Sequence, residues 1–71
     1  MRRYLIVVEK ANANFSAYLP DVPGCVATGA TPEETQARMR EAIDLHIQGL
    51  REDHLPIPEA SSVAAYVDIP S

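Results

Sequence analysis

The sequence predicts an α+β domain of order β-β-β-α-β, in which one helix packs on one face of an antiparallel sheet. Three short segments with strand composition come first and are separated by turn residues. A capped amphipathic segment follows them, and a further apolar segment lies near the C-terminus. With 71 residues, the chain is expected to form one domain over residues 1–71, near the size at which a single core is only marginally sufficient.

The first three segments predict an antiparallel meander. "RRYLIVVE" (2–9) is apolar on both faces, so it should be central in the sheet or covered by a partner subunit. "KANAN" is typical of a hairpin loop, and "FSAYL" (15–19) returns as the second strand. Pro23-Gly24 fits a type II turn with Gly24 at positive φ, and "CVATG" (25–29) is the third strand.

The helix carries the clearest local signals. Thr31 is the expected N-cap, Pro32 occupies the first helical position, and Glu34 completes a capping box. Glu34 and Arg38 are spaced as an i,i+4 ion pair, and the helix should end near Arg51. The face expected to pack on the sheet consists of Met39, Ala42, Ile43, His46, Ile47 and Leu50.

The last part of the chain is predicted as a loop followed by a strand. "REDHLPIPEASS" contains two X-Pro steps, and "VAAYVDI" (63–69) has strand composition. One helix cannot cover both faces of a four-stranded sheet. The apolar residues left on the other face therefore predict self-association, as a dimer or tetramer.

Composition restricts the functional class. The net charge is −4, with six Lys and Arg scattered along the chain, which argues against direct nucleic-acid binding and favours a basic protein partner. No apolar run approaches the roughly 18 residues of a membrane span. The run Tyr4–Val8 is also too short for a signal peptide, so we expect a cytoplasmic protein.

Cys25 is the first candidate for chemistry. A nucleophilic thiol would need His46 or His54 as its base, but a lone cysteine in a strand is more often a small core residue. A metal held by the two histidines with Asp44 or Asp53 is disfavoured, because a separation of eight does not match a helical zinc pair. We therefore expect Cys25 to be a core residue, and we expect no metal.

Other enzymatic arrangements receive little support. Glu9, Asp21 and Asp68 lie at strand ends, where a two-metal nuclease would place carboxylates, but each has an ordinary turn or surface role. The serines lack a Gly-x-Ser-x-Gly context, and the three glycines are isolated, so no phosphate loop is formed. We predict no catalytic residue and no cofactor.

The stretch "HLPIPEASS" is a candidate partner-binding segment. Leu55 and Ile57 are flanked by prolines, so the segment is stiff and loses little entropy on binding. A plain crossover from the helix to the last strand explains it equally well, and both interpretations stay open.

Taken together, the motifs resemble those of the HicB-like antitoxins (UPF0150-type). The matching residues are "FSAYLPDVPGC" (15–25), "ATGATPEE" (27–34), "EAIDLH" (41–46) and "IP" with the prolines at 56 and 58, and the resemblance covers roughly residues 3–69. It implies a β-β-β-α-β fold described as a degraded relative of RNase H. It also implies a partner, the small basic HicA-type toxin, an mRNA-cleaving enzyme whose active site the antitoxin masks. The family forms dimers or higher oligomers.

One departure from the family pattern bears on regulation. Many HicB antitoxins carry a C-terminal DNA-binding domain, whereas this sequence stops after the last predicted strand, so autorepression is in doubt. The expected function is a non-enzymatic antitoxin that occludes its toxin. A stand-alone oligomeric scaffold that has lost its toxin, and a vestigial RNase H-like nuclease or Cys25-dependent hydrolase, are the alternatives. The expected toxin contacts are Glu41, Asp44, Glu52, Asp53, Leu55 and Ile57.

Overall fold

The computed structural model describes residues 2–70. Three strands, β1 (Val7–Lys10), β2 (Phe15–Tyr18) and β3 (Val26–Gly29), precede one helix, α1 (Pro32–Glu52). The strands form an antiparallel sheet in the order β1-β2-β3. The predicted α+β class, meander and helix are therefore confirmed.

The register gives the sheet two different faces. Val8, Ala17 and Ala27 are paired across the three strands and all pack in the core beneath α1. The neighbouring row on the opposite face pairs Val7 with Tyr18, and Tyr18 with Val26. Because side chains alternate along a strand, this second apolar row lies on the face away from the helix.

The core is small and lies between the sheet and the helix. Its buried members are Ala17, Leu19, Val22, Cys25 and Met39, and the partly buried residues packed against them are Tyr4, Ile6, Val8, Ala27, Ala42 and Ile43. Met39 is fully buried, as the helical periodicity predicts. Helix α1 packs chiefly on β3 and β2, so the β1 side of the sheet is the less covered.

Local signals fix the turn before β3 and the start of α1. Gly24 has a φ of 85°, and the Cys25 amide donates to the Val22 carbonyl at 3.4 Å, as expected for a turn with glycine in the left-handed region. At the helix start, the Glu34 amide donates to the Thr31 hydroxyl at 3.0 Å. The Glu34 carboxylate in turn accepts from the Ala30 amide at 2.9 Å. The capped helix start is confirmed.

Two expectations about strands are wrong. The predicted last strand, 63–69, is absent: within residues 2–70, no strand follows α1. Its backbone pairs with no strand in the described chain, and Val63, Tyr66, Val67 and Ile69 are exposed, so nothing holds the segment in a sheet. The first strand is shorter than 2–9, and it lies at the sheet edge, so the central position is wrong and cover by a partner subunit stays a prediction.

Candidate protein-binding site

Cys25 and His46 line the same shallow pocket, between the start of β3 and the middle of α1. The pocket has a volume of about 350 Å³ and is lined by Gly24, Cys25, Val26, Ala42, Leu45 and His46. The Cys25 thiol is buried, and its sulfur contacts the Met39 sulfur at 3.7 Å. Burial raises the pKa of the Cys25 thiol, so the thiolate is disfavoured. This arrangement is that of a core cysteine.

Residues 2–70 offer neither a candidate metal-holding cluster nor a candidate membrane-spanning helix. No group of three or more His, Cys, Asp or Glu side chains within residues 2–70 could hold a metal ion. No helix in that range combines the length and the apolar character needed to cross a bilayer.

Two large apolar side chains on the rim of the pocket are open to solvent. Val26 is 68% exposed and Leu45 is 69% exposed, although each is a large apolar residue. Although Val26 belongs to the outer row of the sheet, β3 is an edge strand, and Val26 lines the same concavity as Leu45 of α1. Large apolar side chains that are exposed beside a concavity are typical of protein–protein interfaces.

Acidic residues surround Leu45 on the exposed side of α1. Glu41 lies one turn before Leu45 on the same helix side, and Asp44 directly precedes it; both are exposed. The ion pair found within residues 2–70 is Arg38–Glu34, with an N–O distance of 2.7 Å. In that range, Glu41 and Asp44 thus have no cationic partner and are available to a basic protein. We call Val26, Glu41, Asp44 and Leu45 the Leu45 patch.

The structure separates the six sequence-predicted contact residues. Glu41 and Asp44 adjoin the pocket, whereas Glu52 and Asp53 lie at the far end of α1. Leu55 follows as an exposed residue and Ile57 is half-buried. Sequence reasoning did not select Val26 and Leu45, the exposed apolar residues that line the pocket. A signal for Leu45 was present, because it is a leucine on the polar side of an amphipathic helix, between Asp44 and Gln48.

A second feature ties the segment after α1 to the body of the protein. Asp21 Oδ2 accepts from the backbone amides of Ser61 and Ser62 at 3.0 and 2.9 Å. Its Oδ1 accepts from the hydroxyls of the same serines at 3.1 and 2.8 Å. The Tyr4 hydroxyl also donates to the Pro58 carbonyl. We call the four bonds of Asp21 the Asp21 clasp, and sequence reasoning, which assigned Asp21 an ordinary turn or surface role, did not find it.

The fold and this surface fit a small binding domain, and comparison with known proteins supplies its family. Residues 4–71 match the family model described as the HicB_like antitoxin of bacterial toxin-antitoxin systems. The chain belongs to this family, which confirms the resemblance inferred from its motifs.

Curated relatives agree with this assignment. A UPF0150 protein of Helicobacter pylori is 34% identical over 64 residues, covering 89% of each chain. A UPF0150 protein of Synechocystis is 31% identical over 67 residues, covering 93% of this chain and 85% of its own. An uncharacterised 14.9 kDa protein of Haemophilus phage HP1 is 37% identical over 67 residues, which is 94% of this chain. The chain spans only 50% of that phage protein. No solved structure matches the chain.

Proposed function

We propose that this protein is a cytoplasmic, non-enzymatic antitoxin that binds a HicA-type mRNA-cleaving toxin and blocks its active site. Membership of the antitoxin family supports a toxin partner. The net charge of −4 supports a basic one. The buried thiol of Cys25, with its raised pKa, favours the binding role over the thiol-dependent hydrolase.

The observation that carries the proposal is the Leu45 patch. Leu45 and Val26 would supply the apolar centre of the interface, where desolvated anchors contribute most of the binding free energy. Glu41 and Asp44 would pair with basic side chains of the toxin around that centre. Occlusion is then steric. A toxin that binds the Leu45 patch through its basic, nucleic-acid-binding face has that face covered by this acidic chain.

The residues farther along the chain remain predicted contacts of lesser weight. Glu52 and Asp53 extend the acidic surface beyond the end of α1, and Leu55 is exposed beside them. Ile57 is half-buried, so it can contribute only part of its side chain. We propose that these four residues form the rim of the interface, where substitutions have small effects.

The test is binding to a HicA-type toxin, with Leu45→Asp as the disruptive variant. Placing a carboxylate at the apolar centre should cost roughly 2 kcal/mol or more, a loss of about thirtyfold in affinity. Isothermal titration with a catalytically inactive toxin measures the affinity, and rescue of growth on co-expression measures neutralisation.

The matched control is Ala37→Asp, which places the same charge on an exposed position of α1 two turns earlier. It should bind the toxin with unchanged affinity. Circular dichroism of both variants establishes that they fold. The wild-type chain failing to form a complex with that toxin would contradict the antitoxin function. Equal affinity of the two variants would instead exclude the Leu45 patch as the interface.

A further inference from the structure

We propose that residues 63–69 form a β-strand on the outer edge of β1 in a second copy of this chain, and that the exchange is reciprocal. We call these residues the 63–69 segment. The proposal concerns a surface different from the Leu45 patch, and it does not depend on the toxin.

The 63–69 segment has the amino-acid composition of a β-strand, but it is neither paired with another strand nor packed in the core. Val63, Tyr66, Val67 and Ile69 are 86, 99, 80 and 76% exposed. In residues 2–70, no hydrogen bond joins the backbone of this segment to the rest of the chain. Four large apolar side chains beside unpaired backbone groups constitute an unpartnered strand, which favours pairing with another chain.

The edge that could receive a strand lies beside the base of the segment. β1 is an edge strand, paired only with β2 in the described sheet. A groove of about 600 Å³ lies between residues 3–6, which lead into β1, and residues 60–64. Leu5, Ile6 and Val63 are among its lining residues, so its walls are partly apolar. A strand entering this groove would continue the sheet beyond β1.

The Asp21 clasp fixes where the segment leaves the body. It holds Ser61 and Ser62 through four hydrogen bonds, and the exposed residues begin directly after them. The segment thus leaves the body of the protein from a fixed point, beside the groove that its first residues, Val63 and Ala64, help to line. Each copy offers one segment and one groove, so a two-fold pair satisfies both and leaves no open end.

The distribution of charge favours a second copy of this chain as the partner, and a hydrogen bond at β3 favours the β1 edge as the receiving edge. Arg3 lines the groove and Arg2 precedes it, whereas the segment carries Asp68. The opposite charges favour a second copy over a basic protein at this edge. At the other edge of the sheet, the Arg38 guanidinium donates to the Thr28 carbonyl of β3 at 3.1 Å, which occupies an acceptor of that strand.

If the segment pairs as a strand, its side chains should alternate between the two faces of the sheet. Val63, Ala65, Val67 and Ile69 share one face, and Ala64, Tyr66 and Asp68 share the other. The apolar face should continue the side of the partner's sheet that packs against its helix, and the second face should stay solvated.

The experiment compares Val67→Asp with Tyr66→Asp in the full 71-residue chain, by sedimentation over a concentration series. Both positions are exposed within the single chain, so neither variant should impair folding. Val67→Asp should raise the dimer dissociation constant by about a hundredfold, because it buries an unpaired carboxylate. Tyr66→Asp should leave the protein dimeric. A monomeric wild-type chain, two dimeric variants or two monomeric variants would each overturn the proposal.

Hydrogen exchange locates the receiving edge. Peptides covering residues 2–10 and 60–70 should gain protection with rising concentration in the wild-type chain and lose it in Val67→Asp. Protection confined to residues 41–50 would place the interface at the Leu45 patch and contradict the exchange. The affinity of Val67→Asp for the toxin is measured separately. Failure of the strand exchange can thereby be distinguished from failure of the proposed function.

Discussion

At the scale of single residues, Asp21 does more than form a turn, because its carboxylate also anchors the segment that follows α1. Its carboxylate accepts four hydrogen bonds from two consecutive serines forty residues away in the sequence. The Ser62 amide, followed by the Ser62 hydroxyl and both Ser61 donors, holds the pKa of Asp21 below its usual value of 3.8. The ionised form is therefore the one that anchors the segment after α1.

The clasp should open in acid. Because the pKa of Asp21 is lower in the folded state, its contribution is complete above 3.8 and is lost as the pH falls through the folded-state pKa. The amide resonances of Ser61 and Ser62, followed by NMR, should titrate with a midpoint below 3.8. Asp21→Ala should abolish this titration and speed amide exchange at both serines.

Glu59→Ala provides the comparison, since it removes an exposed carboxylate just before the clasp. Its Ser61 and Ser62 amides should titrate as in the wild-type chain. A midpoint at or above 3.8 in the wild-type chain, or slow exchange preserved in Asp21→Ala, would show that Asp21 does not hold these serines.

At the scale of elements, the close approach of β3 and α1 depends on Gly29. A Cβ atom at this position would lie 2.7 Å from the Thr35 hydroxyl oxygen and 2.9 Å from the Thr35 backbone nitrogen. Backbone atoms cannot move aside as a flexible side chain can. Thr35 is itself fully buried, and its hydroxyl donates to the Thr31 carbonyl at 2.7 Å. Only glycine permits this contact between the end of the sheet and the first turn of the helix.

Alanine should therefore have opposite effects at two glycines. Gly29→Ala should lower the free energy of unfolding by about 1–3 kcal/mol, because it forces β3 and α1 apart. Gly49→Ala should raise it by about 0.5–1 kcal/mol, since the added Cβ meets no atom within 4 Å and the helix gains a better former. Urea unfolding of the two variants and the wild-type chain measures both changes. Destabilisation of equal size at the two positions would refute the packing argument.

Elements specified by neighbouring residues were predictable from the sequence. The turn at Pro23-Gly24 and the cap at Thr31 depend on bonds between residues three apart, so their signals lie within a few positions. Glu34 and Arg38 likewise form the pair that their spacing predicts. The 63–69 segment differs, because a strand exists only where another strand pairs with it, and the composition of a segment does not specify that neighbour.

Of the candidate site, the sequence indicated only the acidic residues and not the apolar ones. Glu41 and Asp44 follow from the polar side of the helix, where each directly precedes a residue that lines the pocket, Ala42 or Leu45. Val26 and Leu45 are nineteen residues apart, and their joint exposure around one concavity depends on how α1 crosses β3. The Asp21 clasp joins residues still farther apart. Contacts of this kind are set by tertiary packing, which local patterns do not encode.

At the scale of the whole molecule, charge is distributed unevenly over the two proposed surfaces. The Leu45 patch carries carboxylates, whereas the groove beside β1 carries Arg3, with Arg2 next to it. A basic protein approaching this chain of net charge −4 is therefore attracted overall and directed toward α1 rather than toward the groove. The two surfaces can then serve a toxin and a second copy at the same time.

Such steering should appear in the rate of toxin association and its dependence on salt. Screening shortens the range of charge interactions from about 10 Å at 0.1 M to about 3 Å at 1 M ionic strength, so the association rate should fall roughly tenfold or more while dissociation changes less. The double variant Glu41→Gln, Asp44→Asn should associate more slowly at low salt. The double variant Glu9→Gln, Glu59→Gln has the same net charge but changes exposed carboxylates outside the Leu45 patch. Stopped-flow measurements of the association rates of the two double variants separate local steering from net charge. Equal slowing in both variants would assign the effect to net charge alone. Slowing confined to the variant at Glu41 and Asp44 would place the encounter at α1.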